Sequence, residues 1–180
     1  MIPTGRTQVE IRLVDAGTFA THVHEAADVY GRAMNRGLDL VAQRREIMAG
    51  HVDRSGFTAV VAMNGEELVG FGYGYLGRAG DWWHDIVAMA VGPEQTTRWL
   101  TDAFELAELH VEPAHQGAGV GRRLLDTLID ATTSSTVVLS THDQETVARS
   151  LYRSVGFQDL LRNFRFPGSQ EVYAVLGLHR

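Results

Sequence analysis

The chain contains neither cysteine nor lysine, and both absences narrow its chemistry. Without cysteine it has no disulfide, no thiol nucleophile and no cysteine-ligated metal. All 16 residues counted as Lys or Arg are arginine, so a lysine Schiff base and a P-loop are excluded. No apolar run is long enough to span a membrane, and the first residues lack the apolar core of a signal peptide. We therefore expect a cytoplasmic protein without membrane contacts.

Length and charge suggest a small globular protein with a cationic partner. The chain has 180 residues and a formal net charge of −6, which disfavours non-specific binding to nucleic acid. The charge is compatible with a cationic small molecule or peptide as partner. We see no internal repeat, low-complexity tract or linker, so we predict one domain over residues 1–180.

Strand-like and helical patterns alternate along the chain with short connections. The predicted strands are 7–14, a hairpin over 57–77 that turns at Asn64-Gly65, 103–111, 136–141, 157–163 and 171–177. The predicted helices are 16–34, 38–52, 82–91, 94–100, 119–132 and 145–155. This order indicates a mixed α/β architecture.

The stretch HVEPAHQGAGVGRRLLDTLI, residues 110–129, places three glycines between a strand and a helix. A dinucleotide-binding G-x-G-x-x-G motif fails because Arg122 stands where the last glycine belongs. The pattern Q-x-x-G-x-G, from Gln116 through Gly119 to Gly121, fits better. The unpaired N–H groups at such a helix start form an anion site, and glycine lets a pyrophosphate approach the backbone. A packing turn without any ligand is the alternative.

Two segments resemble the signature motifs of GNAT-type N-acetyltransferases. FELAELHVEPAHQGAGVGRRLLDTLI matches E-L-x-x-L-x-V-x-P followed by Q/R-x-x-G-x-G/A and an amphipathic helix. ARSLYRSVGFQDL, residues 148–160, is similar to the family's A-x-x-L-Y-x-x-x-G-F segment. The resemblance implies an α/β (α+β) GNAT fold, which is a mixed, mostly antiparallel sheet of about seven strands flanked by helices. The implied activity is direct transfer of the acetyl group of acetyl-CoA to a primary amine.

The resemblance also implies which residues hold acetyl-CoA. The pantetheine arm is expected beside the end of the strand, where a backbone N–H of Leu109 or Val111 meets the thioester oxygen, as in an oxyanion hole. The implied cofactor residues are Leu109, His110, Val111, Gln116, Gly117, Ala118, Gly119, Val120, Gly121 and Arg122. No metal is implied, and His22 and His24 lack a third ligand. A homodimer is left open.

Two residues are implied in catalysis. Tyr152 occupies the motif's tyrosine position and is expected to donate a hydrogen bond to the departing thiolate; packing at the edge of a helix is the alternative. Glu105 matches the motif's glutamate and is expected to prepare the amine. By simple alternation Glu105 lies on one strand face and Glu108 and His110 on the other, but a bulge would exchange the faces. Glu108 and His110 therefore stay open as alternative bases.

Two further questions stay open at this stage. The protein could be a non-catalytic acyl-CoA-binding sensor module, or an acyltransferase that uses a longer acyl-CoA. The acceptor has no readable motif; a polyamine, an aminoglycoside, an amino acid or a protein N-terminus would fit the acidic charge. The aromatic strand GFGYGY, residues 70–75, and the tryptophan-rich segment from Trp82 could line either the core or the acceptor pocket.

Overall fold

The computed structural model describes residues 9–180. Its elements are β1 (Glu10–Val14), α1 (Ala16–Ala33), α2 (Leu38–His51), β2 (Thr58–Asn64), β3 (Glu67–Gly77), α3 (Trp82–Val91), α4 (Pro93–Trp99), β4 (Ala103–Val111), α5 (Val120–Ala131), β5 (Thr136–His142), α6 (Val147–Val155), β6 (Gln158–Phe164) and β7 (Tyr173–His179). A 3-10 turn over Pro113–His115 precedes α5. The predicted element types are confirmed; residues 7 and 8 of the first predicted strand lie outside the described residues.

The seven strands form a sheet in the order β1-β2-β3-β4-β5-β7-β6. Strands β4 and β5 pair in parallel, and the β1–β2, β2–β3, β5–β7 and β6–β7 pairs are antiparallel. The predicted mixed, mostly antiparallel sheet is thereby confirmed. The chain divides into two compact units: one comprises residues up to Gly74 with Glu108–Ala131, and the other comprises Tyr75–Ala107 with Thr132–Arg180. The single domain over 1–180 stays a prediction.

In the first unit, the glycines of GFGYGY leave one face of β3 bare so that α5 can pack on it. A Cβ atom at Gly70 would lie 3.2 Å from Leu124 of α5, and one at Gly72 would lie 3.0 Å from Leu128. Such separations are tighter than ordinary contacts, so a larger residue at either position would crowd the leucines of α5. The bare face therefore positions α5, whose N-terminus follows the glycine stretch.

The opposite face of β3 carries the aromatic side chains and belongs to the core. The rings of Phe71 and Tyr73 lie with their centroids 6.0 and 5.2 Å from that of Phe19 on α1. Phe57 also stacks against Tyr73 at 5.2 Å. Phe19, Phe71 and Tyr73 are fully buried. Of the two roles open for this strand, the structure supports core packing for Phe71 and Tyr73.

The second unit has its own core beneath the tryptophan-rich segment. Its buried members are Val87, Trp99, Leu100, Ala103, Val138, Phe166 and Val175, with Trp83 packed against them. Gly177 leaves room for the Trp99 ring, because a Cβ atom at this position would lie only 2.6 Å from a ring carbon of Trp99. Trp82 remains 58% exposed, so this segment is core on one side and surface on the other.

No helix within residues 9–180 is long and apolar enough to cross a membrane.

Candidate active site

The glycine turn, Gln116–Gly119, exposes backbone in a conformation that ordinary residues avoid. Gly117 has a φ of +75° and Gly119 a φ of +79°, in the left-handed region that favours glycine. A Cβ atom at either position would have no neighbour within 4 Å, so packing does not explain these glycines. Alternating left-handed residues aim successive N–H groups at one point and form an anion-binding concavity.

Helix α5 begins directly after this turn, and its first N–H groups add to the same site. The Gly119 carbonyl accepts the first helical hydrogen bond, from the N–H of Arg123, at 3.1 Å. The N–H groups of Val120, Gly121 and Arg122 then lack intrahelical acceptors and carry the positive end of the helix dipole. Arg122 lies on the first turn of α5, and its Nε donates to both carboxylate oxygens of Asp126, one turn further along the helix, at 2.9 and 2.8 Å.

The motif glutamine ties the turn to the end of β4. The Gln116 side-chain amide donates from Nε2 to the carbonyl of Val111 at 2.9 Å. One residue beyond Val111, the Glu112 N–H donates to the carbonyl of Val69 on β3 at 2.8 Å. These two bonds fix the turn to the sheet, which gives a physical reason for glutamine three residues before Gly119.

Strand β4 contains a bulge, which the partners of its side chains reveal. Glu105 pairs with Tyr75, and the His110 ring lies 5.6 Å from that of Phe71. Phe71 and Tyr75 are four residues apart on β3 and share a face, whereas Glu105 and His110 are five apart on β4. Side chains alternate along a regular strand, so β4 must hold one extra residue between Glu105 and His110. The simple alternation that put Glu105 on the other strand face is therefore wrong.

Glu105 lies in the second unit as a buried carboxylate. It is 6% exposed, and its Oε1 accepts a hydrogen bond from the Tyr75 hydroxyl at 3.2 Å. A Cβ atom at Gly77 would lie 3.9 Å from the Cβ of Glu105, so the glycine leaves space beside the side chain. A buried, hydrogen-bonded carboxylate of this kind is suited to holding a cation.

Glu108 and His110 form a closely spaced, largely buried pair in the first unit. His110 Nε2 lies 2.6 Å from Glu108 Oε2, and Arg44 Nη1 of α2 lies 3.0 Å from Glu108 Oε1. The Glu108 side chain is 6% exposed and that of His110 is 14% exposed. Both oxygens of a buried carboxylate are thus engaged by cationic or potentially cationic groups, as burial of a charge requires.

These neighbours set the ionisation of Glu108. Burial pushes its pKa upward, but the hydrogen bond from His110 and the electrostatic interactions with the groups around it, Arg44 among them, outweigh burial and hold the pKa below the ordinary value. His51, on the last turn of α2, has a pKa lowered mainly by burial. Its Nδ1 lies 3.0 Å from the Tyr73 hydroxyl. Glu108 is therefore ionised at neutral pH, and His51 is favoured in its neutral form.

Tyr152 is placed by the C-terminal end of α6. Gly156 ends the helix with a φ of +109°, and the Phe157 N–H turns back to the Tyr152 carbonyl at 3.1 Å. This closing turn brings the Phe157 ring edge-on to the Tyr152 ring, with centroids 5.6 Å apart. The glycine and phenylalanine of the motif thus fix the tyrosine ring, which is 7% exposed.

Sequence reasoning missed the contribution of α2. Arg44 and His51 lie four residues before and three residues after the buried Met48, so all three share one helix face. Met48 is the one buried residue of α2, so hydrophobicity offered no signal for this face. Within residues 9–180 no group of three or more His, Asp and Glu side chains could hold a metal ion.

Comparison with known proteins gives consistent similarities. A family model described as "Acetyltransferase (GNAT) domain" matches residues 55–159. A GCN5-like protein acetyltransferase of Mycobacterium tuberculosis is 32% identical over 133 residues, which cover 69% of this chain and 65% of that protein. The chain thus spans about two thirds of the length of this relative.

A second relative and a solved structure extend the comparison. The [ribosomal protein bS18]-alanine N-acetyltransferase of Haemophilus ducreyi is 33% identical over 102 residues, covering 53% of this chain and 67% of that protein. The fold is similar to that of yncA from Salmonella typhimurium, solved with its cofactor acetyl-CoA. That alignment has a TM-score of 0.63 at 20% identity and covers 96% of this chain and 94% of the other.

Proposed function

Since the chain belongs to the GNAT family of N-acetyltransferases, we propose that it transfers the acetyl group of acetyl-CoA directly to a primary amine. The observation that carries this proposal is the glycine turn. Gly117 and Gly119 hold positive φ angles with open space before them, at the N-terminus of α5. The pyrophosphate of acetyl-CoA fits such a set of N–H donors, with Arg122 adding charge.

The amine nitrogen attacks the thioester carbon, the C–N bond forms, and the C–S bond breaks with its electron pair leaving on sulfur. An N–H of Leu109 or Val111 stabilises the oxygen of the tetrahedral intermediate. The Tyr152 hydroxyl donates a hydrogen bond to the departing thiolate, which ends as the thiol with one of the two protons released by the ammonium. Glu105 holds the ammonium before attack.

We propose an amine of a protein or peptide as the acceptor. Both relatives named above have names that specify a protein acceptor, and a net charge of −6 favours a cationic partner. In this proposal acetyl-CoA is the co-substrate and no metal takes part.

An amine panel tests the proposed function. Purified protein is incubated with acetyl-CoA and, separately, a peptide with a free N-terminal alanine, a lysine peptide, spermidine and an aminoglycoside. Thiol release is followed with time. An N-acetyltransferase gives amine-dependent release with one acetylated acceptor per thiol; a sensor module binds acetyl-CoA without amine-dependent release. Replacing acetyl-CoA by propionyl-CoA or octanoyl-CoA distinguishes a longer acyl donor.

A further inference from the structure

The buried pair of Glu108 and His110 has no part in the proposed attack on the thioester or in the release of the thiolate. Resting on the proposed function, we propose that His110 accepts the proton of the acceptor amine at Nδ1, directly or through a water. Glu108 acts through it as a positioning residue. The pair lies on β4 beside α1 and α2, wholly within the first unit. The strand pattern leaves His110 open as an alternative base, and no motif assigns it that role.

The ring orientation follows from the chemistry of the pair. Glu108 is ionised and can only accept hydrogen bonds. The contact of 2.6 Å between Glu108 Oε2 and His110 Nε2 therefore requires a proton on Nε2. In the neutral imidazole the lone pair is then on Nδ1, which has no hydrogen-bond partner among the described residues. The ring keeps 14% of its side-chain surface exposed, so a proton can reach it.

Titratable and charged groups face the pair of Glu108 and His110 from α1, α2 and β3. On α2, Arg44 lies 3.0 Å from the other oxygen of Glu108, and burial lowers the pKa of His51. The Tyr30 ring of α1 packs edge-on to His110 with centroids 5.3 Å apart. On β3, the Tyr73 hydroxyl is engaged with His51. Glu108 is thus the anion closest to the imidazole and stabilises an imidazolium.

Two carboxylates on β4 are less suited to the same step. Glu108 has both oxygens engaged, by His110 and Arg44. Glu105 accepts from Tyr75, and an ordinary carboxyl is about two pKa units less basic than an ordinary imidazole. Glu105 then keeps its proposed role of holding the ammonium of the acceptor.

The proton balance of the reaction has two parts. The acceptor ammonium loses two protons while the C–N bond forms and the C–S bond breaks. One reaches the CoA sulfur and completes the thiol, and the other reaches His110 Nδ1 and passes to solvent when CoA leaves. Glu108 stays ionised throughout. No oxidant, metal or covalent intermediate is required.

The first test reads the ring directly and needs neither acceptor nor cofactor. Nitrogen-15 spectra of the histidine rings are recorded in the wild-type protein, with His110→Gln identifying the His110 signals. We expect neutral His110 to carry its proton on Nε2 with Nδ1 unprotonated, and Glu108→Gln to mix the two tautomers. A neutral His110 ring protonated at Nδ1 in the wild-type protein overturns the proposal.

The second test is kinetic and uses the N-terminal alanine peptide, or the panel amine that is turned over fastest. His110→Gln should lower kcat roughly 10²-fold to 10⁴-fold and remove the acidic limb of the rate profile. Glu108→Gln should lower kcat by a smaller factor, with partial recovery in Glu108→Asp. Glu105→Gln should raise the KM of the amine and keep the acidic limb. His110→Asn serves where His110→Gln does not fold, as judged by circular dichroism.

A matched imidazole–carboxylate pair provides the control. His22 and Glu25 on α1 lie 3.4 Å apart and outside the buried cluster, so His22→Gln and Glu25→Gln should leave kcat and the acidic limb unchanged. If His110→Gln retains both kcat and the limb, the assignment of His110 is wrong while the proposed function stands. If the wild-type protein releases no thiol with any amine, the proposed function fails and the assignment fails with it.

Discussion

At the scale of single residues, a substitution of Tyr152 tests catalysis separately from cofactor binding. Tyr152→Phe removes the hydroxyl and keeps the ring against Phe157, with which it packs edge-on. If the hydroxyl stabilises the leaving thiolate, kcat should fall roughly 10²-fold with little change in acetyl-CoA affinity. Stopped or continuous thiol-release assays give kcat, and calorimetry gives the affinity.

Tyr173→Phe is the matched control for the loss of a tyrosine hydroxyl. The Tyr173 hydroxyl donates to Glu171 at 3.0 Å in the same unit, and its removal should leave kcat unchanged. Equal rates for Tyr152→Phe and the wild-type protein would leave Tyr152 with a packing role only, which is the alternative that its contact with Phe157 also supports.

The sequence predicted the identity of the candidate residues on β4 better than their orientation. The motif identifies Glu105, and it leaves Glu108 and His110 as alternatives. Their faces could not be read from alternation, because the bulge in β4 arises where β3 and β4 pair and has no local pattern. Arg44 was missed for a related reason: its partner Glu108 is 64 residues away in the chain.

At the scale of elements, the glycine turn and α5 act together as a binding unit, and a second glycine tests this. Gly119 has a φ of +79° and Gly65, in the β2–β3 turn, a φ of +65°, and a Cβ at either site would meet nothing within 4 Å. Alanine at either position should cost about 1 kcal/mol of folding free energy, since a left-handed conformation is unfavourable for it. Only Gly119→Ala adds a methyl group where the pyrophosphate would sit.

We therefore expect Gly119→Ala to weaken acetyl-CoA binding about tenfold or more, a difference of about 1.4 kcal/mol, with Gly65→Ala binding as the wild-type protein does. Calorimetry measures both affinities, and chemical denaturation measures both stabilities. Similar affinities for the two variants, at similar stability, would show that the turn does not contact the cofactor.

The elements themselves were predictable because their periodicities are local. Leucines three and four residues apart on α5, and alternating glycines on β3, report the faces that pack together. The inner face of α2 was not predictable in this way. Leu40 and Ile47 are 47% and 38% exposed, and Met48 between Arg44 and His51 is buried, so hydrophobicity alone points to the wrong side of this helix. The ion pair of Arg44 with Glu108 supplies the polar partner that allows this orientation.

At the scale of the whole molecule, the mixed, mostly antiparallel sheet was expected from the resemblance of the two motifs and not from composition. The parallel β4–β5 pair makes α5 the crossover between two strands of a mostly antiparallel sheet. Composition alone does not predict this crossover between β4 and β5. It does, however, determine which groups of the chain can carry an acetyl group.

The chain has 16 arginines and no lysine, and a guanidinium does not lose its proton in proteins. Apart from an α-amino terminus, these 180 residues therefore contain no alkyl amine. After long incubation with excess acetyl-CoA and no acceptor, intact-mass measurement should find at most one acetyl group per chain. A lysine-rich protein treated in parallel shows how much acetylation the thioester produces without an enzyme.

Acid quenching during turnover should likewise trap no further acetyl group, because direct transfer forms no acyl-enzyme. A second acetyl group, on a serine, tyrosine or histidine, would contradict direct transfer and indicate a covalent intermediate instead.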